Sequence, residues 1–147
     1  MISEEEILSI LNQTIRTSSA NQTEALLLAN SSKLTRFANS TIHQNMAEDN
    51  IKLSVRVVID GRIGSASINQ ITSSSINGLI NNAISTAKRC PPDPHFKSLP
   101  EEKTALEINS FVAATANYSP ENQAKDVLKI IKCAEAQDLD TAGSHLT

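Results

Sequence analysis

Nine residues and the turn behind them constrain this chain more than anything else in it: Ile51-Lys52-Leu53-Ser54-Val55-Arg56-Val57-Val58-Ile59, followed by Asp60-Gly61. Ile51, Leu53, Val55, Val57 and Ile59 fall on one side of an extended chain, and Lys52, Ser54 and Arg56 on the other. Asp-Gly favours a two-residue hairpin turn, because both central positions take positive φ. The return strand is then 62–69, and the turn sets its register. Ile59 stands opposite Arg62, Val57 opposite Gly64, Val55 opposite Ala66 and Leu53 opposite Ile68. Two small residues beside large valines predict a helix in close approach. That helix follows at once. Thr72 can cap it, and Ile76, Leu79, Ile80, Ala83, Ile84 and Ala87 form an apolar stripe at helical spacing. Cys90-Pro91-Pro92-Asp93-Pro94 stops it, since proline cannot continue the ladder.

The remaining elements are read by the same rules. Ser3 and Glu6 make a capping box for a helix over 3–16, with Ile7, Leu8, Leu11 and Ile15 on one face. Residues 24–30 are an apolar run without alternation, which suits a strand covered on both faces; a short run alone does not exclude a helix. Segments 34–39 and 42–48 read as two further, polar-rich strands, at an edge or a subunit contact. Residues 90–104 hold four of the five prolines and read as a linker. A short element is expected at 105–113. Ser119 caps a last helix with Pro120 in its first position, and its stripe is Ala124, Val127, Leu128, Ile131 and Ala134. Residues 138–147 carry no cap or strand signal, so they are expected to be poorly ordered or paired with another copy. The fold class is α+β: an antiparallel β-sheet of about four to five strands, with helices packed mainly on one face.

Composition excludes several functions. Thirteen basic and sixteen acidic residues give a net charge of −3, with 3% aromatics and no Trp, a poor balance for holding nucleic acid. Residues 25–90 carry seven basic and three acidic side chains, which read as a solvated sheet face. Cys90 and Cys133 are too few for a disulfide scaffold and read as free thiols. The start, Met1-Ile2-Ser3-Glu4-Glu5-Glu6, is acidic where a signal peptide would be basic, and no apolar run spans a membrane. An intracellular, cytoplasmic protein is expected, and the Asn-x-Ser/Thr sequons reflect an Asn- and Ser-rich composition.

Catalytic motifs are missing. His43, His95 and His145 are far apart in sequence, and none lies three or four residues from another metal-ligand type. Gly64-Ser65-Ala66-Ser67 lacks the second glycine of a nucleophile elbow. Asp60-Gly61-Arg62-Ile63-Gly64 precedes no helix and is no phosphate loop. The paired acids Glu101-Glu102 sit in the linker. One stretch exceeds what a plain strand needs: Leu34-Thr35-Arg36-Phe37-Ala38-Asn39-Ser40-Thr41-Ile42-His43-Gln44-Asn45. It mixes an aromatic, an arginine and amides, the residue types of a contact surface. Arg36, Phe37, Asn39, His43 and Gln44 are its candidate interface or peptide-contact residues; the plain reading is a polar edge satisfying its own backbone.

The same stretch carries a resemblance. Leu-Thr-Arg-Phe-Ala-Asn-x-x-Ile-His-Gln-Asn at 34–45 is similar to the N-terminal domain of the TldD/PmbA family, zinc metallopeptidases also labelled modulators of DNA gyrase. The likeness continues through Val55-Arg56-Val57, Asp60 to Ser67, Ala87-Lys88 and Cys90-Pro91-Pro92-Asp93-Pro94-His95-Phe96. The helix 120–137 and Leu139-Asp140-Thr141-Ala142-Gly143 resemble the start of the family's middle domain. The resemblance implies an N-terminal domain over 1–100, then a linker and truncated start of the middle domain over 101–147. It implies a fragment or a short gene product. The family's zinc motif, His-Glu-x-x-x-His, lies in a C-terminal domain and is not in this sequence. No catalytic or metal residue therefore carries over; the chain alone is expected to be inactive and to hold no cofactor, with zinc implied for the full-length enzyme. The implied partners are a homologous subunit, in a homo- or heterodimer, and a peptide substrate in the full assembly, with no membrane or nucleic acid. The implied role is subunit assembly and substrate access for peptide proteolysis. The alternative is a stand-alone peptide- or protein-binding module that adds a strand at the 34–48 edge.

Overall fold

The structure is a computed structural model that describes residues 2–101, 103, 104, 106 and 108–147. Met1, Glu102, Ala105 and Glu107 lie outside the described residues, and with them part of the acidic pair at 101–102 and of the element expected over 105–113. In chain order the elements are α1 (Glu4–Thr17), β1 (Gln22–Ala38), β2 (Thr41–Ile59), β3 (Arg62–Ile68), α2 (Ser73–Arg89), α3 (Ala113–Ala116), α4 (Pro120–Glu135) and β4 (Gly143–Leu146). The four strands form one antiparallel sheet in the order β3-β2-β1-β4, which is the expected α+β class. The sheet is built differently from the expectation in one respect. Segments 24–30 and 34–39 are a single strand, and so are 42–48 and 51–59.

Contacts group the chain into two compact units, Met1–Ala29 with Asn50–Thr104, and Asn30–Asp49 with Ala105–Thr147. In the first, the Asp60-Gly61 turn takes φ values of 48° and 72°, and β2 pairs with β3 from Ile59↔Arg62 to Leu53↔Ile68. The register follows from those two positive φ values. Leu53, Val55 and Val57 then meet Ile76, Leu79, Ile80, Ala83 and Ala87 of α2 in one buried cluster. Gly64 makes this contact possible. A Cβ there would lie 2.2 Å from the Ala83 carbonyl oxygen and 2.4 Å from the Ala87 nitrogen, so the helix backbone rests directly on the strand. The caps are as read: Ser3 and Glu6 close a capping box on α1, and Thr72 and Ser75 close one on α2.

Two faces in this unit differ from the sequence reading. In α1 the inward residues are Ile10, Leu11 and the fully buried Thr14, whereas Leu8 and Ile15 are exposed. Thr14 can sit inside because its hydroxyl donates to the Ile10 carbonyl at 2.7 Å. The 24–30 run is not covered on both sides. Ala25 and Leu27 pack on the core, while Leu26 and Leu28 are 51% and 56% exposed. An unbroken apolar run hides this alternation, because the outward positions are also leucine. The proline-rich stretch is tied to the unit: Arg62 donates to the Cys90 carbonyl at 2.7 Å, Asp93 N–H to the Gly61 carbonyl at 2.9 Å, and Leu99 N–H to Gln22 Oε1 at 2.8 Å.

In the second unit, Phe37, Val127 and Ile131 form the buried cluster, with Ile42 against it. The expectation of a loose or swapped tail is corrected here. Residues 143–146 form β4 on the free side of β1, pairing Leu34↔Leu146, Thr35↔His145, Arg36↔Ser144 and Phe37↔Gly143. Lys33 and Thr147 extend the ladder with two backbone bonds of 2.9 and 3.0 Å. The strand carries no sequence signal of its own, since a four-residue piece draws its pairing from a partner more than a hundred residues away. In α4 the buried positions are Gln123, Val127 and Ile131, spaced four apart, while Leu128 is exposed. A polar residue occupies a core position, so the apolar pattern alone points to a face one residue off.

Candidate interaction surface at the hairpin tip

The candidate residues lie where β1 turns into β2. Asn39 and Ser40 form the two-residue connection, with φ of 49° and 51°. Asparagine tolerates that left-handed conformation better than most residues, and Ser40 is held in it by its partners. Ser40 N–H donates to the Thr141 carbonyl at 3.1 Å, Thr141 N–H donates to Ser40 Oγ at 3.3 Å, and Thr41 Oγ1 donates to the Asn39 carbonyl at 3.2 Å. The tip is therefore a fixed turn.

The five candidate side chains do not form one cluster. Phe37 is buried against Val127 and Ile131, and Gly143 opposite it has no room for a side chain: a Cβ there would lie 2.9 Å from Phe37 Cζ. Arg36 is exposed and, as the neighbour of inward-facing Thr35 and Phe37, points to the other side of the sheet. His43 and Asn39 are exposed too; Gln44 is half-buried, with Nε2 3.0 Å from Met46 Sδ. Counting outward from the two-residue turn places Arg36 across from His43. Ile42 and Asn45, three positions apart, both turn toward α4, Ile42 to the Phe37 cluster and Asn45 through Nδ2 to the Pro120 carbonyl at 3.3 Å.

Beneath the surface lies a polar network that the sequence reading missed. Gln123, fully buried, donates from Nε2 to the Lys33 carbonyl at 3.1 Å and to Thr147 Oγ1 at 3.0 Å. Thr35, also fully buried, donates from Oγ1 to Asn45 Oδ1 at 2.9 Å and lies 3.4 Å from Gln123 Oε1. Lys33 Nζ donates to the Ala116 carbonyl at 2.8 Å. The signal was available: Gln123, Val127 and Ile131 share one helical row.

A titratable group stands at the start of α4. The Tyr118 hydroxyl donates to Asp126 Oδ2, Lys129 Nζ donates to Asp126 Oδ1 at 2.8 Å, and the His145 ring is 5.9 Å from the Tyr118 ring. Lys129, then Tyr118, hold the Asp126 carboxyl below its ordinary range. The carboxylate in turn pushes the Tyr118 phenol up. The Asp126 carboxylate is thus shared between Tyr118 and Lys129.

Cys90 is half-buried and Cys133 exposed, both free. Among the described residues no three or more His, Cys, Asp or Glu side chains gather where they could hold a metal ion. The described residues therefore offer no ligand set that fits a zinc centre. No helix of the described residues is long and apolar enough to cross a membrane.

Comparison with known proteins agrees with this architecture. Residues 23–87 match the profile of PmbA/TldA metallopeptidase domain 1. No curated protein matches the chain. Among solved structures, TldE from Thermococcus kodakarensis is similar over 96% of this chain, with a TM-score of 0.79 and 18% identity. A DNA gyrase modulator candidate from Bacteroides thetaiotaomicron is similar over 99%, with a TM-score of 0.78 and 17% identity. One from Thermotoga maritima is similar over 95%, with a TM-score of 0.68 and 13% identity. At these identities the likeness is one of fold. The chain spans 34%, 35% and 37% of those three structures.

Proposed function

We propose, from the premise that residues 23–87 form a first domain of the PmbA/TldD family, that the chain is a non-catalytic part of a zinc-dependent peptidase. In this reading it serves assembly with a homologous subunit, as a homo- or heterodimer, and lines the way to the site where peptides are cut. The metal and the hydrolytic groups belong to a different part of the assembly, in the cytoplasm. The observation that carries the reading is the hairpin tip. Arg36, Asn39 and His43 stand exposed on a turn that is pinned at Ser40 and backed by buried Phe37. Charged and amide groups on a rigid support suit recognition of another chain.

The test is co-expression with a homologous subunit that bears His-Glu-x-x-x-His. Co-purification and metal-dependent peptide hydrolysis by the pair are expected, with both weakened by Arg36→Ala combined with His43→Ala. Equal recovery and equal turnover for the double variant would remove the tip from assembly. The second reading, strand addition at 34–48, has one observation in its favour: β3 pairs with β2 from Leu53 to Ile59, and among the described residues no strand pairs with 41–50 on that side.

A further inference from the structure

Three arginines lie on the strands, and two of them are engaged. Arg56 pairs with Glu24 at 2.5 Å, and Arg62 donates to the Cys90 carbonyl at 2.7 Å. Arg36 on β1 has no acidic partner among the described residues. Its surroundings are set by register. β1 is the strand between β2 and β4. Arg36 stands opposite Ser144 of β4, and the two-residue turn places it opposite His43 of β2. Directly opposite residues of antiparallel strands share a face, about 4.5–5.5 Å apart. That face is the one turned away from α4. Thr35 and Phe37 on either side of Arg36 are buried, Ile42 beside His43 packs on the Phe37 cluster, and a Cβ at Gly143, beside Ser144, would meet the Phe37 ring. A guanidinium, an imidazole and a hydroxyl thus form one exposed row across three strands, all within the second unit. No Asp or Glu lies within three positions of any of them.

We infer that this row holds a carboxylate, and that the carboxylate is the free C-terminal end of a peptide. The Arg36 guanidinium can take both oxygens of a carboxylate in a fork. The His43 ring N–H and the Ser144 hydroxyl stand on its two flanks, and each can donate a further hydrogen bond. Arg36 occupies the central strand, so an anion seated on it lies one strand spacing, about 4.8 Å, from either flank. The support is fixed from below by buried Thr35 and Phe37, and at the turn by the bonds between Ser40 and Thr141. Leu34, two positions along β1 on the same face, is half-buried and puts an apolar step beside the row. The last residue of a peptide carries a side chain and a carboxylate on one carbon, which matches a cationic row with an apolar step next to it. In an acidic residue the carboxylate takes the place of that side chain. The inference rests on the role in substrate access proposed above, and it names the part of a peptide that this chain recognises.

The test is an amide NMR titration of the whole chain with three acetylated peptides: Ala-Ala-Leu with a free carboxylate, the same peptide as its C-terminal amide, and an amidated Ala-Glu-Leu. The signals of Arg36, His43 and Ser144 should shift with the free acid, followed up to about 10 mM peptide because an exposed ion-pair site is weak. Amidation should weaken binding at least ~10-fold, since a neutral amide cannot replace the charge-assisted fork. Arg36→Ala should weaken the free acid by a similar factor of about ten with the melting curve retained, and Arg36→Lys should recover only part of the loss. Ser144→Ala should cost roughly 2–10-fold. Lys125→Ala, which removes one positive charge from an exposed position of α4, should leave the affinity unchanged. Equal binding of acid and amide overturns the proposal. So does a loss with Lys125→Ala as large as that with Arg36→Ala, or the absence of any shift at the three residues. Amidated Ala-Glu-Leu binding as tightly as the free acid overturns the assignment to a chain end. None of these outcomes bears on co-purification with a zinc-bearing subunit, which tests the assembly role by itself.

Discussion

The Gln123 side chain donates to the Lys33 carbonyl at 3.1 Å, so a helix residue completes the hydrogen bonding of a strand backbone inside the second unit. From the same nitrogen it reaches Thr147 Oγ1, and it thereby fastens β1 and the residue that follows β4 to α4.

Replacing Gln123 with Leu keeps the volume and removes both bonds. The Lys33 carbonyl keeps the Thr147 N–H, so the loss is that of two hydrogen bonds and about 1–3 kcal/mol of stability. Urea unfolding gives the magnitude. Amide exchange should quicken first at 143–147, and a uniform change across the chain would contradict the local role.

Gly64 and Gly78 should respond to alanine with opposite signs. At Gly64 the added methyl meets backbone atoms of Ala83 and Ala87, which cannot rotate away, so the cost is at least ~1–3 kcal/mol. At Gly78, inside α2, nothing lies within 4 Å of the added atom, and the helix gains roughly 0.5–1 kcal/mol. Thermal melts of the two variants side by side decide it.

Leu79 is buried at the centre of the α2 contact. Leu79→Ala is expected to cost ~2–5 kcal/mol through lost burial and a cavity. Leu8→Ala, on an exposed face of α1, should cost under ~0.5 kcal/mol. Similar losses in both would mean that the inward face of α1 has been misassigned.

The Asp126 group predicts a pH dependence with a definite sign. Its carboxyl is depressed in the fold, chiefly by Lys129 and then Tyr118, so its contribution is present above the carboxylate range and lost as pH falls through it. Tyr118 is raised, chiefly by Asp126, so its contribution is present below the phenol range and lost as pH rises through it. Asp126→Asn should flatten both limbs of a stability-against-pH curve relative to the parent chain. Unfolding midpoints measured from acid to alkaline pH check this, and two unchanged limbs would refute it.

What the sequence revealed and what it concealed divide along a physical line. Asp60-Gly61 states its own turn, and through it the register of Val57 against Gly64; Thr72 and the 76–87 stripe state α2. These are local or periodic signals. Leu26 and Leu28 were unreadable as outward residues because they match their inward neighbours in type. Gln123 was passed over because a polar side chain breaks an apolar count, although its row with Val127 and Ile131 is regular. For β4, Gly143-Ser144-His145-Leu146 has neither period nor turn, and only the free side of β1 makes it a strand. The candidate surface was legible as an unusual composition. That Phe37 faces inward while Arg36 faces outward follows from strand alternation; that their stretch surrounds a turn at Asn39-Ser40 was hidden, because neither residue is glycine.

The interleaving of the two units along the chain imposes an order on synthesis. All residues of the first unit have left the ribosome once Thr104 is clear, at a point when the second still lacks Ala105–Thr147. Translation adds roughly 5–20 residues per second, so for a few seconds the nascent chain holds a finished first unit with the hairpin tip unsupported. Phe37 then has neither Val127 nor Ile131 to cover it, and Leu34 to Phe37 have no β4. During that interval the hairpin tip is the part of the emerged chain that lacks its packing and pairing partners.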